Sequence, residues 1–476
     1  MRSPKNMNTP VLLKTKKSAF IAFSTLILLG FYTTFYIRIF TSVGIPSAIN
    51  FLHLLIVPWA CIFILTKTRI KNKAQIAAVK EIIFALFIFF TVNVASAFVN
   101  KAGFINYILN FLLLCEHFLL LLAIICVPMT WERIKGLRSH IVFAGFINTI
   151  FAYIQYYVFR LHLLGAGGAD NIKGVFIGQG AGHVVGASVA LSFGAFYVLS
   201  AKIIPIWLRL SILLITIWHM NIADAKQSIL IFALAWMILL LTKFKNIGKL
   251  LQYLIVGIIL IAGFYWCVQN IPEFRAFKTW IRPEIYGPDG EATLLKTSIF
   301  RIVPSYYQSF WNQWLGLGPG HTVGRLGGWL IKDYREILIP LGITIHPASN
   351  EVWNAVRDSW LGDQSSMFSP LFGWAGIWGD LGFLGLASFI YIWSVVWRRI
   401  CVDDISRLFV ICVFLFGLVL SQMEEPGYML YISSIIAIQY QEHQYRKTYS
   451  TAEQPKTELK NPKTLKGWVK RLLLIS

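Results

Sequence analysis

Twelve separate stretches of this chain are candidates for helices that cross a bilayer, which takes roughly 20 apolar residues; the last of them is short and the tenth is Gly-rich. They fall near 18–37, 47–66, 82–99, 105–128, 140–159, 180–200, 203–219, 226–242, 250–268, 373–396, 406–423 and 427–440. In lipid every backbone amide must be paired within the protein, so runs of this kind read as helices. Composition agrees: 57% of the 476 residues are hydrophobic and 14% are charged, against about 25% charged in soluble proteins. That excludes a string of soluble domains and excludes disorder. The first run is followed by eleven more and carries no small-residue cleavage site, so it reads as an anchor and not a removed signal peptide. The expected fold is an all-α integral membrane protein of about 12 transmembrane helices.

The formal net charge of +21 comes from 43 Lys and Arg against 22 Asp and Glu. Its distribution sets the expected topology. The N-terminal tail, the tail after residue 440 and every second connection hold 29 of the 43 basic residues. The short connections on the other face carry only Arg38, Lys101, Arg160, Lys173 and Lys226. Both termini are therefore expected in the cytoplasm. A charge placed this way belongs to membrane topology and does not call for nucleic acid. The six cysteines form no CxxC pair, so neither a disulfide framework nor a thiolate metal site is signalled.

One connection is out of proportion. Between spans 9 and 10 lies a large extracytoplasmic loop, 269–370, with nine basic and nine acidic residues and many Trp, Tyr, Gly and Pro. Loops this long are usually functional or linkers, and this one is too aromatic for a linker. The chain thus divides into 1–268 (tail and spans 1–9), 269–370 (the loop), 371–440 (spans 10–12) and 441–476 (basic tail). In that tail Leu465, Trp468, Val469, Leu472 and Leu473 recur at helical spacing, which suits an interfacial helix and equally a solvated tail.

Four constellations carry potential chemistry. Arg301 precedes Trp311, Trp314 and the turn Gly316-Leu-Gly-Pro-Gly320-His321. An arginine fork suits a phosphate and the glycines admit close backbone approach; an interfacial Arg beside an ordinary turn looks the same. In His346-Pro-Ala-Ser-Asn350-Glu351-Val-Trp353-Asn354, Pro347 suits the first position of a helix with His346 just outside it. Asn350, Trp353, Asn354 and Arg357 then share one face. His346 there is a candidate base for a hydroxyl, or an incidental residue of a surface helix. Asn221-Ile-Ala-Asp224-Ala-Lys226 closes the seventh span with a cation near a lipid headgroup, or with a snorkelling lysine. Lys173-Gly174-Val-Phe176-Ile-Gly178 opens a glycine-rich run that no strand precedes, so close helix packing is its default meaning.

Within the spans, Glu116 and His117 lie near the middle of the fourth and Asp380 near the outer half of the tenth. Ionisable residues at such depth are functional candidates, though hydrogen-bonded structural roles fit too. DxD, HExxH, P-loop and GxSxG motifs are all missing. Chemistry without a metal or nucleotide motif favours a lipid-linked, pre-activated substrate.

The ordered set Lys173-Gly-Val-Phe-Ile-Gly, Asp224-Ala-Lys226, Arg301, Gly316-Leu-Gly-Pro-Gly320, His346-Pro-Ala-Ser-Asn350 and Gly379-Asp-Leu-Gly-Phe-Leu-Gly-Leu386 resembles the bacterial O-antigen ligase / O-antigen polymerase superfamily. The likeness covers about residues 170–390, and the first five spans match in topology only. Lys226 stands where that family usually has an arginine. The resemblance implies a metal-independent, cofactor-free glycosyltransferase in the bacterial cytoplasmic membrane. It would move a glycan from undecaprenyl pyrophosphate to a sugar hydroxyl on a glycan acceptor, and polymerase is preferred over ligase. The alternatives are a ligase to a lipid A-core acceptor and a non-enzymatic polysaccharide exporter or flippase. Membrane lipid, chain-length regulators and other polysaccharide assembly proteins are the further partners implied. The resemblance assigns Arg301 and His346 as catalytic: Arg301, with Lys226 and Arg325, would stabilise the leaving pyrophosphate. His346 would orient or deprotonate the acceptor, held by Asn350 or Glu351, with His321, Asp380 and Lys173 completing the substrate-binding set.

Overall fold

A computed structural model describes residues 17–449 apart from 71, 166, 179–180, 243–246, 272–282 and 363–365. The amphipathic pattern at 465–473 lies outside the described residues. Among those residues every regular element is helical. Each of the twelve apolar runs falls on a helix. In chain order they are α1 (Lys17–Phe35), α2 (Leu52–Lys67), α3 (Lys73–Val99), α4 (Phe104–Cys126), α5 (Trp131–Tyr153), α6 (Gly182–Ser200), α7 (Ile206–Ile222), α8 (Lys226–Leu241) and α9 (Ile247–Asn270). After the long connection, which holds α10 (Glu291–Ser305), α11 (Trp311–Leu315) and α12 (Pro347–Asp358), come α13 (Gly373–Arg399), α14 (Asp404–Val419) and α15 (Pro426–Tyr449). Six segments are long and apolar enough to cross a membrane: Ser47–Lys67, Lys73–Val99, Phe104–Cys126, Trp131–Val158, Gly182–Ser200 and Gly373–Arg399. Shorter apolar helices accompany them at Phe23–Phe35, Ile206–Ile222, Lys226–Leu241 and Gly257–Asn270.

Helix α4 sits at the centre, packed by α2, α3 and α15. Its residues 113–126 are almost all buried, as are most of those in α6 and α15. The outer helices instead expose large apolar side chains such as Leu55, Trp59, Phe84, Phe87, Trp207 and Leu214. An apolar belt around a buried bundle matches a lipid solvent, so the chain has multi-pass helical membrane character.

The long connection is a folded layer. Ile299 and Val303 of α10, Ala348 and Val352 of α12, and Leu317 and Val323 form one apolar cluster with Leu371, Phe372 and Ala375 at the start of α13. Lys296 of α10 reaches across the seam, donating to the carbonyls of Met367, Ser369 and Val419 at 3.2, 2.9 and 2.7 Å.

The deeper fastening uses the glycines. Helix α13 breaks at Gly382 (φ 64°, ψ −159°), a conformation essentially confined to glycine. Beside the break, the Gly379 and Asp380 carbonyls accept from the amides of Leu317 and Gly318 at 2.8 and 3.0 Å. The Asp380 carboxylate then accepts from the amides of Gly320 and Thr322, both at 2.8 Å, and from the Thr322 hydroxyl at 2.6 Å.

Candidate functional site

A cavity of about 480 Å³ lies between this folded layer and the bundle, and both contribute to its walls. Arg38 follows α1, Asn50 and His53 stand at the entry to α2, Lys173 precedes α6, Arg325 and Trp329 come from the long connection, and Glu425 precedes α15. Arg38 donates to Glu425 at 2.7 Å, and Arg325 pairs with the other oxygen of the same carboxylate. The amide of Arg325 donates to Glu424 at 2.7 Å. Two guanidiniums therefore share one carboxylate partner.

The electrostatics follow from that crowding. Burial, then the neighbouring Arg38, push Arg325 down to about 9, opposed by Glu424, Tyr334 and Glu116. It still carries its charge at neutral pH. Burial is also the main cause that pushes Glu424 up to about 8, so this carboxyl holds its proton at neutral pH and adds no countercharge. Lys173 is lowered by burial, against the attraction of Asp170, and its ammonium donates to the Gly178 carbonyl at 2.7 Å. Arg38, Arg325 and Glu425 together carry one net positive charge, and Asp170 and Asp333 line the same partly enclosed space. Tyr334, Trp329 and Trp353 add aromatic surface; Trp329 and Trp353 meet edge to face with centroids 4.9 Å apart.

Of the residues singled out from the sequence, Lys173 and Arg325 line this cavity. Arg301 does not: it is exposed on α10, with its guanidinium donating to the Leu294 carbonyl at 2.8 Å. Lys226 pairs with Asp224 at 2.7 Å at the start of α8, away from the cavity lining. Asp380 is buried, and both its oxygens are occupied by the glycine-rich segment it fastens.

The histidines form a second group. His321 is buried between the Leu317 carbonyl, 2.8 Å from Nδ1, and the Thr344 hydroxyl, 2.7 Å from Nε2. It stacks on His346 with centroids 5.4 Å apart. Burial pushes His321 down to about 4, so it is neutral. His346 caps α12, as the His-Pro pair suggested: its Nδ1 accepts from the Ala348 amide at 3.2 Å. Neutral His346 in this arrangement carries its proton on Nε2, so it presents a donor and not a base. Tyr306 packs on His346 and donates to Glu351 at 2.6 Å.

Asn350, Trp353, Asn354 and Arg357 do share a face, and with Lys332 and Arg335 they line a separate cleft of about 530 Å³. Trp353 and Val356 border both spaces.

Sequence reasoning missed Arg38, His53, Glu424 and Glu425. A signal existed for the last two: Glu424-Glu425-Pro426 interrupts two apolar runs, and charge at such a junction has a reason. Arg38 resembles any flanking arginine until Glu425 is placed beside it. Among the described residues no group of three or more His, Cys, Asp or Glu is arranged to hold a metal ion. No family model, curated protein or solved structure matches the chain.

Proposed function

We propose that the protein is a glycan polymerase of the bacterial cytoplasmic membrane. It joins polyprenyl-pyrophosphate-linked oligosaccharide units on the outer face, in O-antigen or exopolysaccharide assembly. In this reading the twelve apolar helices cross the bilayer with both termini cytoplasmic, and the layer between α9 and α13 lies outside. The observation that carries it is the pair of guanidiniums, Arg38 and Arg325, held on one carboxylate in a cavity under that layer. When the anomeric carbon is attacked, negative charge grows on the departing pyrophosphate. Fixed cations in a partly dry site stabilise that charge more than they stabilise the bound substrate. Arg325, Arg38 and Lys173 take that role, since Arg301 and Lys226 lie off the cavity lining. The aromatic walls suit sugar rings. His346, with its Nε2–H available, is an orienting donor near the cleft that Trp353 shares with the cavity.

The test is Arg325→Ala and Arg38→Ala in the native host, scored by glycan chain length. Loss of long chains with accumulation of lipid-linked single units is the expected result. Full-length polymer left on its carrier would instead assign a ligase, and units retained on the inner leaflet an exporter. An unchanged length distribution at normal protein level overturns the catalytic reading.

A further inference from the structure

His53 is 6% exposed and lines the cavity, and its Nδ1 lies 2.7 Å from Oε2 of Glu116. In a carboxylate–histidine pair of this geometry Nδ1–H donates to the carboxylate, which leaves the lone pair on Nε2. Among the described residues Nε2 makes no hydrogen bond and is not one of the sealed, unpartnered atoms of the interior, in contrast to both ring nitrogens of His117 and His219. Nε2 is therefore accessible, and His53 is a residue of the cavity wall. An imidazole whose tautomer and direction are fixed by a buried carboxylate, with its other nitrogen facing a substrate-sized space, is the arrangement general-base catalysis requires. His346 lacks it, because its Nδ1 is occupied by the cap of α12. Glu116 also lies close enough for its charge to act on Arg325, so the base and the proposed pyrophosphate site occupy one electrostatic unit.

We propose that His53, oriented by Glu116, is the base that takes the proton from the attacking hydroxyl in this cavity; the assignment rests on the glycosyl-transfer reading above. The acceptor O–H proton passes to Nε2 of His53 and the acceptor oxygen bonds the anomeric carbon. The bond from that carbon to the pyrophosphate oxygen breaks, and its electron pair leaves with the pyrophosphate beside Arg38 and Arg325. Glu116 stabilises the imidazolium. It touches no substrate and is a positioning residue.

The experiment uses the full chain in lipid nanodiscs, given the lipid-linked glycan fraction extracted from the host deleted for this chain, with turnover followed against pH. His53→Gln is expected to lower turnover about 10²–10⁴-fold and to abolish the acid limb of the pH profile. Glu116→Gln keeps an acceptor for Nδ1 but removes the charge, and should move that limb about 1–3 pH units lower; a purely structural pair would not move it. Arg325→Ala, run in parallel, separates the two claims. An inactive wild type, or an undiminished Arg325→Ala, overturns the glycosyl-transfer reading. If wild type is active and Arg325→Ala is not, His53→Gln with the wild-type rate and acid limb overturns the base assignment alone. Should His53→Gln fail to fold, an unmoved acid limb in Glu116→Gln overturns it.

Discussion

Arg38 and Glu425 are 387 positions apart in the chain and 2.7 Å apart in the fold. Glu425 also holds Arg325, so one carboxylate ties the end of α1, the entry to α15 and the long connection. Its side chain is 5% exposed, and those of the arginines 16% and 15%. Removing one member of a buried ion pair typically costs about 3–5 kcal/mol, because the partner's charge is left uncompensated. Glu425→Gln strands two such charges. It is expected to destabilise by at least that amount, read as a large fall in Tm of the detergent-solubilised protein. Replacing both arginines by Met in the same background should recover part of the loss. A Glu425→Gln protein as stable as wild type would show that these charges are hydrated.

Glu424 gives stability a pH dependence of defined sign. Its ordinary value is 4.5 and burial raises it in the fold to about 8. The folded state therefore binds the proton more tightly than the unfolded chain. The resulting stabilisation is complete below about 4.5 and is lost as pH rises through about 8. Glu424→Gln, a neutral mimic that retains an acceptor for the Arg325 amide, should flatten this slope. Measured as Tm from pH 5 to 9, wild type should decline relative to the variant. Parallel curves would mean that Glu424 does not titrate there.

Much of the architecture was legible because helix formation in lipid is a local property. All twelve apolar runs correspond to helices, and the cap at His346-Pro347 needed only two adjacent residues. The shared face of Asn350, Trp353, Asn354 and Arg357 followed from helical spacing alone. The cavity was not legible, because its chemistry is assembled from positions 38, 53, 173, 325 and 425 on different elements. Motif order drew attention to Arg301 and Asp380; the fold leaves the first exposed and uses the second to hold a turn. Glu116 was visible as a charge at depth, but its partner, His53, is a single histidine at a helix start.

Lys296 fastens the folded layer of the long connection to the bundle. The half-buried ammonium donates to three carbonyls and lies over the Phe372 ring at 4.4 Å. Burial pushes it down to about 7, so its charge and its donors are in balance near neutral pH. Lys296→Met preserves the aliphatic stem and removes the donor that the Met367, Ser369 and Val419 carbonyls share. Hydrogen bonds from a charged donor contribute about 1.5–3 kcal/mol, so a loss of roughly 2 kcal/mol is expected. The loss should be local. Limited proteolysis should cut within 283–372 much faster in the variant, while the helices stay protected. Equal cutting rates would show that the apolar cluster around Phe372 holds the layer unaided.

Gly382 tests the glycine fastening in the same protein. A Cβ added there would meet the Trp314 carbonyl carbon at 2.4 Å, and at Gly316, on the facing segment, it would meet the Asp380 carbonyl carbon at 2.4 Å. Both contacts are with backbone, so no rotamer change relieves them. The φ of 64° with ψ of −159° adds on the order of 1–3 kcal/mol of strain for any side chain. Gly382→Ala is therefore expected to separate the glycine-rich segment from α13, lowering Tm and undoing the placement of Arg325 a few residues on. Gly136→Ala is the control. That glycine lies inside α5 with nothing within 4 Å of its added Cβ, and alanine favours a helix by about 1 kcal/mol. One variant should lose stability and the other gain it. If Gly382→Ala behaves like Gly136→Ala, the break in α13 is not what seats the folded layer.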